Sequence, residues 1–79
     1  MAMHATRPVI GIDTAKEELV IQHDDEKRHL AVDNTPAAIR QWLAGLPKGC
    51  DIAIEATSTY HMEITERAHA KGHHVYVVD

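Results

Sequence analysis

Asp13 and Glu55 are the two residues whose type and setting point to chemistry. Each closes a short apolar run, VIGID over residues 9–13 and DIAIE over residues 51–55. Such runs predict strands, and in open α/β sheets ligands bind at the carboxyl ends of the strands. If the two strands are parallel neighbours, the carboxylates come within a few ångströms of each other. Two close anions repel, so one of them holds a proton more tightly unless a cation lies between them. Mg²⁺ or Mn²⁺ is the natural cation, because hard metals take oxygen ligands. Two such ions about 4 Å apart activate a water or hydroxyl and stabilise the leaving oxygen of a phosphodiester. Spacing alone leaves the plain alternative open, that each acid is a solvated strand end or a helix cap.

The neighbours of these acids divide in the same way. Thr14 and Lys16 follow Asp13 in a predicted hairpin turn. Lys16 is either a phosphate contact or a solvated turn lysine. Thr57, Ser58 and Thr59 stand at the predicted start of a helix after Glu55. Their hydroxyls and free N–H groups would hold a phosphate or orient Glu55, and ordinary N-capping explains them equally well. His61 is close enough in sequence to touch substrate or metal, or to sit on the helix surface. Asp79 ends a strand as the other two acids do. His73 and His74 are adjacent, so on a strand they point to opposite faces and make a poor ligand pair. His23, His29 and His69 show no ligand spacing, and Cys50 has no Cys-x-x-Cys partner to suggest zinc.

The elements that must position the acids can be read from patterning. Residues 1–7 show no periodicity, and Pro8 precedes the first strand. Residues 9–13 read as a strand buried on both faces, residues 18–23 as a second strand, and residues 28–32 as a third. In the third, Arg28, Leu30 and Val32 alternate with His29 and Ala31. Residues 24–27 form a polar turn, and the three strands suit an antiparallel meander. Thr35 caps a helix that has Pro36 at its first position. Ile39, Trp42, Leu43 and Leu46 then follow at i, i+3, i+4 and i+7, one apolar stripe. Residues 50–55 are the fourth strand and residues 60–71 a second helix, with Tyr60, Ile64 and Ala68 on one face and Gly72 as its stop. Residues 74–78 are a fifth strand, apolar enough to be internal. The order is β-β-β-α-β-α-β, and its later β-α-β unit requires parallel pairing.

The totals bound the answer. The chain has 79 residues, room for one small domain. A domain of this size buries only about 60% of its unfolded surface. Phe is absent, so the core rests on Ile, Val, Leu and Ala, with Trp42 as a bulky plug. The formal net charge of −4 argues against this piece being the main nucleic-acid grip, which needs a Lys/Arg surplus. It leaves an acidic metal site open. A single Cys excludes an intrachain disulfide and fits a reducing, cytoplasmic setting. No apolar run approaches the roughly 18 residues needed to span a bilayer, and there is no signal peptide.

Three segments, taken together, resemble a known family. VIGIDTAKEEL resembles the opening strand and hairpin of the DEDD insertion-sequence transposases, the group that includes the pilin-gene-inverting recombinases. DNTPAAIRQWLAGL resembles the first helix of that family, and IAIEATSTYHMEITERAHAKGHHVYVV its fourth strand, second helix and fifth strand. GID alone is a weak signal, whereas GID with NTP-x-x-I and EAT-x-x-Y in order is much stronger. The sequence departs from the family at Asp79, where Asn followed by Pro is expected.

The resemblance implies a ribonuclease-H-like, RuvC-like α/β fragment, β-β-β-α-β-α-β, with a five-stranded mixed sheet and helices. Residues 1–8 are then a disordered lead-in, and residues 9–79 the amino-terminal part of a truncated transposase catalytic domain. Asp13 resembles the first acid of the Asp, Glu, Asp, Asp motif and Glu55 the second. The third and fourth belong on a later helix that this chain lacks, as it lacks the separate carboxy-terminal domain with a serine implicated in strand transfer. The resemblance also implies Mg²⁺ or Mn²⁺ as cofactor, DNA and an element-encoded guide RNA as partners, a homo-oligomer, and an inactive fragment of an active parent enzyme. Lys16 and Thr57 are the candidate nucleic-acid contacts. Two other classes compete. One is an actin-like or sugar-kinase-like ATP-binding domain, which shares this topology. Its first hairpin carries Gly to let phosphate approach the backbone, and Thr14-Ala15-Lys16 has none. The other is a noncatalytic dimerising module, because an uncovered sheet edge or apolar face tends to self-associate.

Overall fold

A computed structural model describes residues 8–23 and 28–79. The predicted lead-in over residues 1–7 and the polar turn over residues 24–27 lie outside them. Pro8, expected to belong to that lead-in, is already tied down, since its carbonyl accepts the Asp51 N–H at 2.8 Å.

Seven elements follow in the expected order. They are β1 (Val9–Thr14), β2 (Glu18–His23), β3 (His29–Asp33), α1 (Pro36–Ala44), β4 (Asp51–Glu55), α2 (Met62–Ala70) and β5 (His74–Val78). The strands form one mixed sheet in the order β3-β2-β1-β4-β5. β1, β2 and β3 pair antiparallel, as the meander requires. β4 joins β1 in parallel, and β5 joins β4 in parallel. This is the α/β arrangement expected of a ribonuclease-H-like fragment.

Both helices cover one face of the sheet. Alternate strand residues point to that face, because side chains reverse direction at each step along a strand. Ile10 and Ile12 of β1, Leu19 and Ile21 of β2, and Ile52 and Ile54 of β4 meet Ile39 and Leu43 of α1 and Ile64 and Ala68 of α2. Each buried Ile or Leu contributes about 1.5–3 kcal/mol, an upper bound because unfolded chains already bury some surface. Thr35 caps α1 as expected, its hydroxyl accepting the Ala38 N–H at 3.2 Å.

Several expectations need correction. β1 is buried on one face only: Ile10 and Ile12 are sequestered, whereas Val9 and Asp13 are exposed. An apolar run with Gly11 at its centre reads as two-sided, but Gly11 brings no side chain to the second face. β5 is an edge strand and not internal, with Tyr76, Val77 and Val78 about half exposed. Trp42 lies half-buried at the margin of the core. β3 starts one residue later than predicted, after an exposed Arg28, with Leu30 and Val32 still paired to the core residues Ile21 and Leu19.

α2 starts at Met62 and not at residue 60. Successive turns, Tyr60 N–H to Thr57 carbonyl and Met62 N–H to Thr59 carbonyl, occupy the approach to the helix. Ser58 sits there at φ 53°, a left-handed conformation that breaks helical progress and is uncommon outside glycine. At the other end Gly72, at φ 90°, stops the helix as expected.

Candidate functional site

Asp13 and Glu55 are register partners on adjacent parallel strands, and neighbouring strands lie about 4.8 Å apart. Their inward neighbours Ile12, Thr14 and Ile54 are buried, so both acids stand on the opposite, helix-free face, exposed at the carboxyl end of the sheet. The juxtaposition has an electrostatic signature. A side-chain hydrogen bond to Asp13, the Asp13 charge and slight desolvation all raise the Glu55 carboxyl above its ordinary range. A hydrogen bond between two carboxyl groups requires a proton on one of them. Two such close carboxyls resist joint ionisation, and a cation between them would relieve that.

The surroundings are open and shallow. A depression of about 380 Å³ runs along this face, lined by Gly11, Asp13, Gln22, Ala53, Glu55 and Val78 among others. Gly11 and Ala53 keep its floor low. On its far side His29 Nε2 donates to Gln22 Oε1 at 3.0 Å, a polar pair that alternation alone did not reveal.

Beneath the acids the backbone is pinned. The buried Thr14 hydroxyl donates to the Glu55 carbonyl at 2.9 Å, tying the end of β1 to the end of β4. The Ala56 N–H donates to the Val78 carbonyl at 2.7 Å, tying the exit of β4 to β5. Asn34 precedes the Thr35 cap of the first helix. It bridges the loops that leave both acid-bearing strands, donating from Nδ2 to the Ala15 and Tyr60 carbonyls, each at 2.9 Å.

The remaining candidates fall around this edge without joining it. Lys16 is exposed in the turn after β1, and Thr57 is exposed two residues beyond Glu55. Thr57, Ser58 and Thr59 precede α2 and do not cap it. The capping position belongs to His61, which makes no side-chain cap bond and whose buried Nδ1 has no hydrogen-bond partner. Asp79 is exposed one residue past the end of β5. Among the described residues no group of three or more His, Cys, Asp or Glu side chains comes together, so His61 does not extend the acid pair.

The pair presents only oxygen donors. That set suits Mg²⁺ or Mn²⁺, since Mg²⁺ is commonly held by one or two carboxylates and keeps several waters. Comparison with protein-family models and with curated protein sequences returned no match.

Proposed function

We propose that this chain is the amino-terminal part of the catalytic domain of a metal-dependent DNA transposase or recombinase, with Asp13 and Glu55 as two ligands of Mg²⁺ or Mn²⁺. The observation that carries the reading is the in-register pairing of these acids on adjacent parallel strands. The Asp13 carboxyl beside it raises the Glu55 carboxyl above its ordinary range, and a divalent cation is the species that relieves such a pair. When bound, the ion polarises a phosphodiester oxygen and lowers the pKa of bound water. Asp13 and Glu55 hold and orient it, while Lys16 and Thr57 flank the approach for a phosphate backbone.

Two carboxylates are half of the acid set that the resemblance implies, and DNA cleavage is proposed for the longer parent protein. The other acids, the grip on DNA and guide RNA, and the homo-oligomer belong to the longer parent protein, acting in the cytoplasm. No helix among the described residues is long and apolar enough to cross a membrane.

Mn²⁺ titration followed by NMR tests the site. Paramagnetic broadening is expected first at residues around Asp13 and Glu55, and is lost in the Asp13→Asn, Glu55→Gln double variant. Uniform broadening, or broadening that survives both substitutions, removes the acids from the metal site. In the parent protein, unchanged Mg²⁺-dependent cleavage of element-end or branched DNA by Asp13→Ala or Glu55→Ala would remove them from the mechanism.

A further inference from the structure

We infer that Asn34 is a positioning residue for the acid pair, acting as a carboxamide clasp between the two loops that leave the acid-bearing strands. The inference rests on the reading of Asp13 and Glu55 as the functional pair. Asn34 lies in the short junction between β3 and α1, remote in sequence from both acids. Its Nδ2 donates to the carbonyl of Ala15, just past the end of β1, and to the carbonyl of Tyr60, in the turns between β4 and α2. Its own backbone N–H donates to the Glu17 carbonyl at 3.0 Å, holding it against the hairpin.

The chemistry of the side chain makes it hard to replace. Both contacts are carbonyl acceptors, so the group between them must supply two N–H donors from one atom. A carboxamide does so, whereas a carboxylate supplies none and a hydroxyl only one. The loops it joins carry Lys16 and Thr57, the exposed polar residues on either side of the pair. The sheet sets how far apart the two acid-bearing strands lie. Beyond the strand ends, the clasp sets how far apart the loops lie, and so the width of the approach to the acids. The loop after Glu55 needs such a restraint, because Ser58 holds a left-handed conformation that is unfavourable for a non-glycine residue.

The test compares wild type, Asn34→Ala and Thr35→Ala, the last removing the adjacent helix cap without touching either loop. In metal-free protein, amide exchange at Ala15, Tyr60 and Met62 is expected to accelerate in Asn34→Ala and to stay unchanged in Thr35→Ala. The Mn²⁺ concentration that half-broadens the resonances around Asp13 and Glu55 is expected to rise about tenfold in Asn34→Ala only, the low end for loss of a residue that orients metal ligands. Unchanged exchange at the two loops overturns the clasp. Faster exchange with unchanged Mn²⁺ affinity overturns the positioning role and leaves a structural one. Failure of wild type itself to bind Mn²⁺ at the acids is distinct from both, and overturns the metal reading together with the role that rests on it. If Asn34→Ala does not fold, Asn34→Ser replaces it, since serine favours turns but cannot reach both carbonyls, and the same two readouts decide.

Discussion

The two ends of the parallel strands solve opposite problems. At the carboxyl end, Asp13 and Glu55 place like charges side by side in solvent, and the cost falls on Glu55, whose carboxyl is driven up by its neighbour. At the amino end, His73 is only 6% exposed, and its Nδ1 accepts the buried Cys50 N–H at 3.0 Å. Cys50 in turn donates Sγ–H to the Pro47 carbonyl at 3.2 Å, and burial, with the nearby Asp51 charge, pushes its thiol up and keeps it protonated. At the amino end the buried Cys50 N–H and Sγ–H both find acceptors. The other end keeps an unresolved electrostatic conflict. Folding alone gains nothing from that conflict, and a bound cation would remove it, which is why the carboxyl end reads as the functional one.

The contrast is sharpest between sequence neighbours on β4. Ile54 is fully buried and Glu55 exposed. Ile54→Ala is expected to destabilise the fold by about 2–5 kcal/mol, through lost transfer energy and a cavity. Glu55→Ala is expected to raise the thermal midpoint of the metal-free protein, because it deletes one of two repelling charges. Chemical and thermal denaturation check both. A Glu55→Ala variant less stable than wild type would mean that the acid serves the fold, and the comparison between the two ends would fail.

The amino end is tested next. His73→Ala leaves the Cys50 N–H buried without an acceptor, at a cost of about 1–3 kcal/mol. Its pH dependence has a definite sign. Burial, and then the charges of His74 and Lys71, lower the His73 pKa in the folded state. Its contribution is therefore complete above the ordinary histidine range, near pH 6.5. It falls as pH drops below that range, because the unfolded chain takes up the proton first, and levels off once folded His73 is protonated. Denaturation midpoints across this window should decline in wild type and flatten in His73→Ala. Equal slopes in the two proteins would show that the Nδ1 acceptor does not control acid stability.

How much of this was legible in sequence follows from the range of each interaction. Ile10 and Ile12, and Ile52 and Ile54, alternate in a way that a strand must translate into one buried face. Element order left open whether β1 and β4 are neighbours; the sheet pairs them in parallel, which brings Asp13 to Glu55. The position of β5 was not legible, because HVYVV has the same apolar content at an edge as in the interior. The burial of His73 was not legible either, since a histidine entering a strand gives no sign that its ring will accept a backbone N–H 23 residues away. Asn34 reads locally as part of a helix start, while its decisive partners lie 19 and 26 residues off. Only Tyr60 and His61 of the expected helix fall in the preceding turns, because Thr and Ser are good turn residues as well as good caps.

The smallest expected effect is the most specific to the acid pair. Because the folded-state pKa of Glu55 is raised, folded protein holds its proton more tightly than the unfolded chain does. Stability from this group is therefore greatest below the ordinary carboxyl range and is lost as pH rises through the raised value. That slope is opposite in sign to the His73 limb, so wild-type stability should pass through a shallow reversal between the two. Asp13→Asn removes the carboxyl whose hydrogen bond, and then whose charge, raises Glu55, and should erase the acidic limb while leaving the His73 limb intact. Saturating Mn²⁺ should invert the acidic limb without any substitution, because an ion that binds only the ionised pair adds stability as pH rises. If Asp13→Asn changes the His73 limb instead, the two ends are coupled through the sheet and cannot be treated as independent regions.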